Sequence, residues 1–176
     1  MHLKLLSILV ISIGLFSCGD KNSDKSNDTQ KPDLLADVPF RKAPVVDSTN
    51  FDNFNGENAL SEELISKLQL RKIEADYETF HPKYRLALST PVDMVVITMA
   101  IENEMKTYLI SYRKNDHQLI DKLMIAYDEI AESMSRTESK ILSDEVVVTS
   151  YNFWGEEPEI TVKNYRIEKT GKFIQK

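Results

Sequence analysis

The sequence predicts a mainly β domain, an antiparallel meander or half-barrel with one short helix near its start. Short runs rich in β-branched and aromatic residues recur through the C-terminal part of the chain, and brief polar turns separate them. Short turns join antiparallel neighbours, whereas a parallel pair needs a long crossover, and no crossover unit is visible.

The elements follow in order. Ser61 is a good N-cap, Glu62 and Glu63 place acids in the first turn, and Leu60, Leu64, Ile65 and Leu68 keep helical spacing. These residues predict an amphipathic helix of two to three turns that caps a sheet. Pro82 then biases His81 away from helix. Strands are predicted at Arg85 to Ser89, Met94 to Ile101, Lys106 to Tyr112, Val146 to Asn152, Ile160 to Ile167 and Lys172 to Gln175. The turns between them fall at 102–104, 114–116, 143–144, 155–158 and 170–171.

Two patterns compete between Gln118 and Met134. Leu119, Ile120, Leu123, Tyr127, Ile130, Ala131 and Met134 fit a helical stripe, while Leu119, Asp121, Leu123, Ile125 and Tyr127 also form one strand face. A helix at about 117–134 would make the domain two-layered α+β. The strand reading is preferred, because Asn115-Asp116 suits a hairpin turn and Ser133 to Ile141 is rich in Ser and Thr.

The N-terminal residues have a different character. Lys4 precedes an apolar run from Leu5 to Phe16, which as a helix reaches about 18 Å against a bilayer core of roughly 30 Å. That is an export signal rather than a span. Ser17 stands directly before Cys18, the one cysteine of the chain, with Leu15 two residues earlier and Phe16 where a small residue is usual. This arrangement resembles the lipobox of bacterial lipoproteins. The resemblance implies that Cys18 receives a diacylglycerol, that signal peptidase II cuts before it, and that the new amino group is acylated. Several acyl chains hold a protein on a membrane far more firmly than one.

Three parts are therefore expected: a signal peptide over 1–17, a lipidated Cys18 with spacer and irregular segment over 18–55, and a globular β domain over 56–176. Residues from Gly19 to Pro32 carry no large apolar side chain, so they cannot offset their ordering entropy and read as a flexible tether. Between Asp33 and Asn55, apolar residues return without a period among prolines and asparagines. That segment either drapes on the domain or extends the stalk. The spacer's Asn, Asp and Lys, together with the ending Tyr165-x-Ile167-x-x-x-Gly171-Lys172, also make the chain similar to small envelope lipoproteins of the Bacteroidota. That likeness implies a lipid anchor at the outer membrane of a bacterial envelope, and no activity.

Composition narrows the function classes. With 28 acidic against 22 basic residues, the formal charge of -6 becomes about -7 once Lys4 leaves with the signal, which disfavours nucleic acid as a partner. Lipidation of Cys18 would leave no thiol for a disulfide or a metal. His81 and His117 have no neighbours at ligand spacing, and no cofactor or metal is expected. Asp128, Glu129, Glu132 and Glu138 lack a glycine-bearing calcium loop and read as a solvated face. Glu156, Glu157 and Glu159 sit in a turn rather than on opposed cleft walls, and no nucleophile elbow, phosphate loop or zinc helix occurs.

Aromatic placement offers more. Tyr151, Phe153 and Trp154 fall at a turn, where Trp154 either anchors a partner or closes an open end of the sheet. Tyr77, Phe80, His81 and Tyr84 form a second candidate group, with docking of the helix as the competing role. The expectation is a non-enzymatic binding module, including an inhibitor or immunity-type protein, for a protein, peptide or glycan. The alternative is a carrier with an apolar cavity lined by Met94 to Ile101 and Lys106 to Tyr112. A binder would fill that space with side chains.

Overall fold

The computed structural model describes residues 33–87, 92–130 and 134–176. The signal peptide, Cys18 and the spacer to Pro32 lie outside the described residues, as do Ser89, Glu132 and Ser133. The domain is mainly β, built on a single open mixed sheet of ten strands. These are β1 (Phe40–Arg41), β2 (Val45–Asp47), β3 (Thr79–Leu86), β4 (Val92–Ala100), β5 (Glu104–Arg113), β6 (Leu119–Glu129), β7 (Ser135–Ile141), β8 (Glu145–Asn152), β9 (Glu159–Ile167) and β10 (Phe173–Gln175). From β3 to β10 each strand pairs antiparallel with the next, as short turns require. No described helix is long and apolar enough to cross a membrane.

The helix is shorter than its sequence pattern suggests. Helix α1 (Glu62–Lys67) has six residues and tightens into a 3-10 turn over Leu70–Lys72. Ser61 caps it by accepting from the Leu64 N–H at 3.4 Å, and Lys67 pairs with Glu63 one turn earlier. Gln69, held at φ 57, ends the α-helical path between Leu68 and Leu70, which are both fully buried. Strand β3 starts six residues before the expected Arg85 and runs through Pro82. The proline is tolerated because the register shifts beside it, leaving Lys83 as the extra residue of a bulge.

The competing helix at 117–134 is replaced by strands β6 and β7. Two bulges explain why the pattern looked helical. Register shifts in the β5–β6 pair leave Ile120 and Ile125 without cross-strand partners. Each bulge moves the following side chains to the other face, so Leu119 and Met124 pack on one core while Ile120, Leu123 and Ile125 pack on the other. Strict alternation is lost, and apolar residues recur near helical intervals.

The segment 33–55, expected to belong with the spacer, gives the sheet two short strands and sends Leu35, Val38 and Val45 into the cores. Strand β1 pairs with β3 in parallel, the exception to the expected antiparallel meander, and β2 pairs antiparallel with β7. Single turns and prolines hid this, because both pairings are made to strands far along the chain.

Two cores result. On one face Leu35, Val38, Ile65, Leu68, Leu70 and Ile73 cover Phe80, Val95, Ile97, Met99, Ile110 and Tyr112. The Tyr112 hydroxyl donates to the Leu68 carbonyl at 2.9 Å, fixing the helical cover to the sheet. On the other face the sheet curls onto itself: Tyr84, Met94, Val96, Leu109 and Ile125 meet Ile141, Val146, Val148 and Ile167. The bulges in β6 add the local twist that this curl needs. Gly171 seals it, with φ 89, its carbonyl accepting from Ser111 Oγ at 2.6 Å, and a Cβ there meeting Ile120 and Ser111 at 3.3 Å.

Candidate functional site

Strands β7 and β8 turn one face to the second core and leave the other open, and β9 joins that core only through Tyr165 and Ile167. Cross-strand register sets that open face, since directly paired residues point the same way. Arg136 lies opposite Tyr151, and Tyr151 opposite Ile160; Glu138 lies opposite Thr149, and Thr149 opposite Val162. Tyr151, Phe153, Ile160 and Val162 thus gather on the outer side.

Trp154, Ile160 and Val162 are 67%, 59% and 56% exposed, values that a packing role does not produce. Tyr151 and Phe153 stack with centroids 6.1 Å apart and planes 7° from parallel. Backbone bonds hold the turn: the Phe153 N–H donates to the Met134 carbonyl at 2.7 Å, and the Trp154 N–H to Asn152 Oδ1 at 3.0 Å. Trp154 leaves the open end of the sheet uncovered and projects into solvent. The Tyr151 hydroxyl donates to Glu138 Oε1 at 2.9 Å, and that bond raises the pKa of the phenol.

Two hollows meet at this face. A shallow one of about 370 Å³ is lined by Arg136, Glu138, Tyr151, Phe153, Pro158 and Ile160. A second, of about 380 Å³, is bordered by Phe51, Asp128, Glu129, Ile130, Arg136 and Phe153. Arg136 and Phe153 stand between them. The Arg136 guanidinium makes no ion pair or hydrogen bond with a described residue, so its planar fork is available to a carboxylate or a carbonyl. Residue content alone had not singled out Arg136, Ile160 or Val162. The alternation in Ile160-Thr161-Val162 was the available signal.

The second aromatic group is not a surface. Tyr77, His81 and Tyr84 are all buried, and so is Phe80. The bulge at Lys83 divides them, with Tyr77 and Phe80 in the first core and Tyr84 in the second. His81 Nδ1 lies 2.9 Å from the Glu57 carbonyl oxygen, and its ring meets Phe54 edge-on at 5.0 Å. Tyr77 and Tyr84 pack in the cores, and His81 stands at the floor of a hollow of about 290 Å³ beside Phe54, Glu57 and Lys83.

Around Tyr84 lies a polar cluster that the sequence did not announce. The Asp47 carboxylate is buried, accepts from Lys83 Nζ at 2.9 Å, from the Tyr84 hydroxyl at 2.9 Å and from Thr49 Oγ1 at 2.5 Å, and Lys83 also donates to Thr49. Burial pushes the Asp47 pKa up, but Lys83, Thr49 and Tyr84 outweigh it and hold the carboxyl below its ordinary value. Burial and the Asp47 charge together raise the pKa of Tyr84 well above the usual phenol range. Because Asp47 ends β2 and Lys83 is the bulged residue of β3, the cluster ties the N-terminal strap to the sheet.

Among the described residues, no group of three or more His, Cys, Asp or Glu side chains is placed to hold a metal ion. No protein-family model, curated protein or solved structure matches this chain.

Proposed function

We propose that this chain is a lipid-anchored lipoprotein of a bacterial envelope whose β domain is a non-enzymatic binding module for a protein or peptide partner. The supporting observation is the open face of β7–β9, where stacked Tyr151 and Phe153, exposed Trp154, Ile160 and Val162, and Arg136, whose guanidinium has no ion-pair partner among the described residues, lie together. Aromatic and arginine side chains dominate binding hot spots, the rings because they bury large areas at low entropic cost and arginine because its planar fork makes several directed hydrogen bonds. Contiguous exposed apolar surface is itself a mark of interaction sites. A peptide carboxylate or carbonyl would meet Arg136 while its apolar side chains cover Phe153 and Ile160.

The carrier reading fares worse. The positions that would line its cavity, among them Met94, Val96, Ile97, Leu109 and Ile110, are buried against side chains of the two cores. The anchor is proposed from Cys18, and replacing it with alanine should abolish acyl labelling.

Trp154 is the one tryptophan of the chain and so a site-specific reporter. A photoreactive phenylalanine placed at 154 should crosslink one discrete envelope protein, and Arg136→Ala together with Phe153→Ala should reduce that adduct at least tenfold. Native mass spectrometry showing copurified lipid in place of any adduct would sink the reading.

A further inference from the structure

The free edge of β9 carries a pattern that the open face does not explain. Strand β9 pairs with β8 along its whole length, but β10 covers its other edge only from Ile167 to Tyr165, with the Lys176 N–H reaching the Asn164 carbonyl at 2.9 Å. Residues 159–163 therefore keep an edge that no described strand pairs. The backbone phase follows from the neighbours. Ile167 N–H turns toward β8 by bonding Asp144, and the Asn164 carbonyl turns toward β10. By alternation, the N–H and C=O groups of Ile160 and Val162 point outward from the sheet.

We infer that this edge pairs antiparallel with β9 of a second copy, about a two-fold axis through Thr161. In that register Ile160 lies opposite Val162 of the other copy, and those two residues hold the outward donors and acceptors. Two such pairs make four hydrogen bonds, with both copies in phase. Thr161 lies opposite its own counterpart. Glu159 lies opposite Lys163 of the other copy, twice by symmetry. Neither the Glu159 carboxylate nor the Lys163 ammonium forms an ion pair or hydrogen bond with a described residue, so each has its charge free for the other.

The pairing also ends naturally. One position further, Pro158 has no N–H to give, and the Asn164 carbonyl opposite it is already taken by Lys176. The segment is thus self-complementary in charge, in side-chain type and in backbone phase, which a two-fold interface requires and a foreign strand does not. Ile160 and Val162, more than half exposed in one copy, would meet across the axis. The inference rests on the edge of β9 and not on the aromatic face, so either can fail alone.

The test uses the full chain in mild detergent with Cys18→Ser, so that an introduced thiol stands alone. At the unbonded Thr161 pair the two Cα atoms would be about 4.5 Å apart, within disulfide range, whereas two residues at 163 would be offset along the strands. Thr161→Cys should oxidise to a disulfide-linked dimer, and Lys163→Cys should not. By sedimentation, Glu159→Lys should weaken dimerisation roughly tenfold, and adding Lys163→Glu should restore it to within about twofold, with unchanged circular dichroism. A monomer at every accessible concentration, or crosslinking at 163 as fast as at 161, would overturn the inference. A monomer would leave the same edge to a strand of another protein.

Discussion

Strands β4 and β9 have nine residues each, yet β4 is buried on both faces and β9 is exposed along all but its last residues. The difference lies in what covers them. Strand β4 has the helical layer on one side and the folded-over strands on the other, so it reads as a nearly continuous apolar run, Val92-x-Met94-Val95-Val96-Ile97. Strand β9 alternates Ile160 and Val162 with polar residues and has no cover. Burial on two faces adds to stability, whereas an apolar face left open adds little, because the hydrophobic effect rewards only surface removed from water.

Substitutions in the two regions should separate by size of effect. The largest loss is expected for Phe80→Ala in the doubly covered half, about 4 kcal/mol in urea unfolding, since a fully buried ring leaves a cavity. A loss under about 1 kcal/mol there would mean that the ring is not enclosed by the helical layer.

Next comes Asp47→Asn, with about 3 kcal/mol, because it removes a buried carboxylate that accepts from Thr49, Tyr84 and the partly exposed Lys83. The same residue predicts a pH effect. A carboxyl whose folded pKa lies below the unfolded value of about 3.9 adds stability above that value and loses it as pH falls through the folded pKa. Unfolding free energy of the native chain should therefore drop steadily below about pH 4. Asp47→Asn should flatten that slope, and an unchanged slope would remove Asp47 as its source.

A smaller loss, about 2 kcal/mol, is expected for Gly171→Ala, where a methyl group meets both a positive φ and Ser111 and Ile120 at 3.3 Å. This variant probes the docking that lets the sheet curl. Val162→Thr should change stability by less than about 0.5 kcal/mol, the effect of an exposed site. A loss comparable with that of Phe80→Ala would mean that β9 is covered after all.

Legibility followed the range of the interactions. Turns such as Ser143-Asp144 and Thr170-Gly171 declared their hairpins because the information is local. The Tyr151-x-Phe153-Trp154 group was legible for the same reason, as aromatic residues at a polar turn have nowhere nearby to hide. The group at Tyr77, His81 and Tyr84 looked equally exposed in sequence, yet the bulge at Lys83 and the cover of α1 and β2 buried it. Arg136 gave no signal, because one arginine in a polar strand looks like any other until the fold sets it between Tyr151, Phe153 and Glu138.

By itself the sequence determined the mainly β class, the capped start of α1 and most of the strands from β4 onward, since hydrophobic alternation, capping and turn chemistry act over a few residues. Only the tertiary structure decided that 33–55 joins the sheet, that β6 bulges twice, that Asp47 meets Lys83, and that one half of the sheet is covered on both faces while the other is open. Those outcomes depend on which distant strands pair and how far the sheet twists, and cross-strand partners are chosen by summed packing that no local pattern encodes.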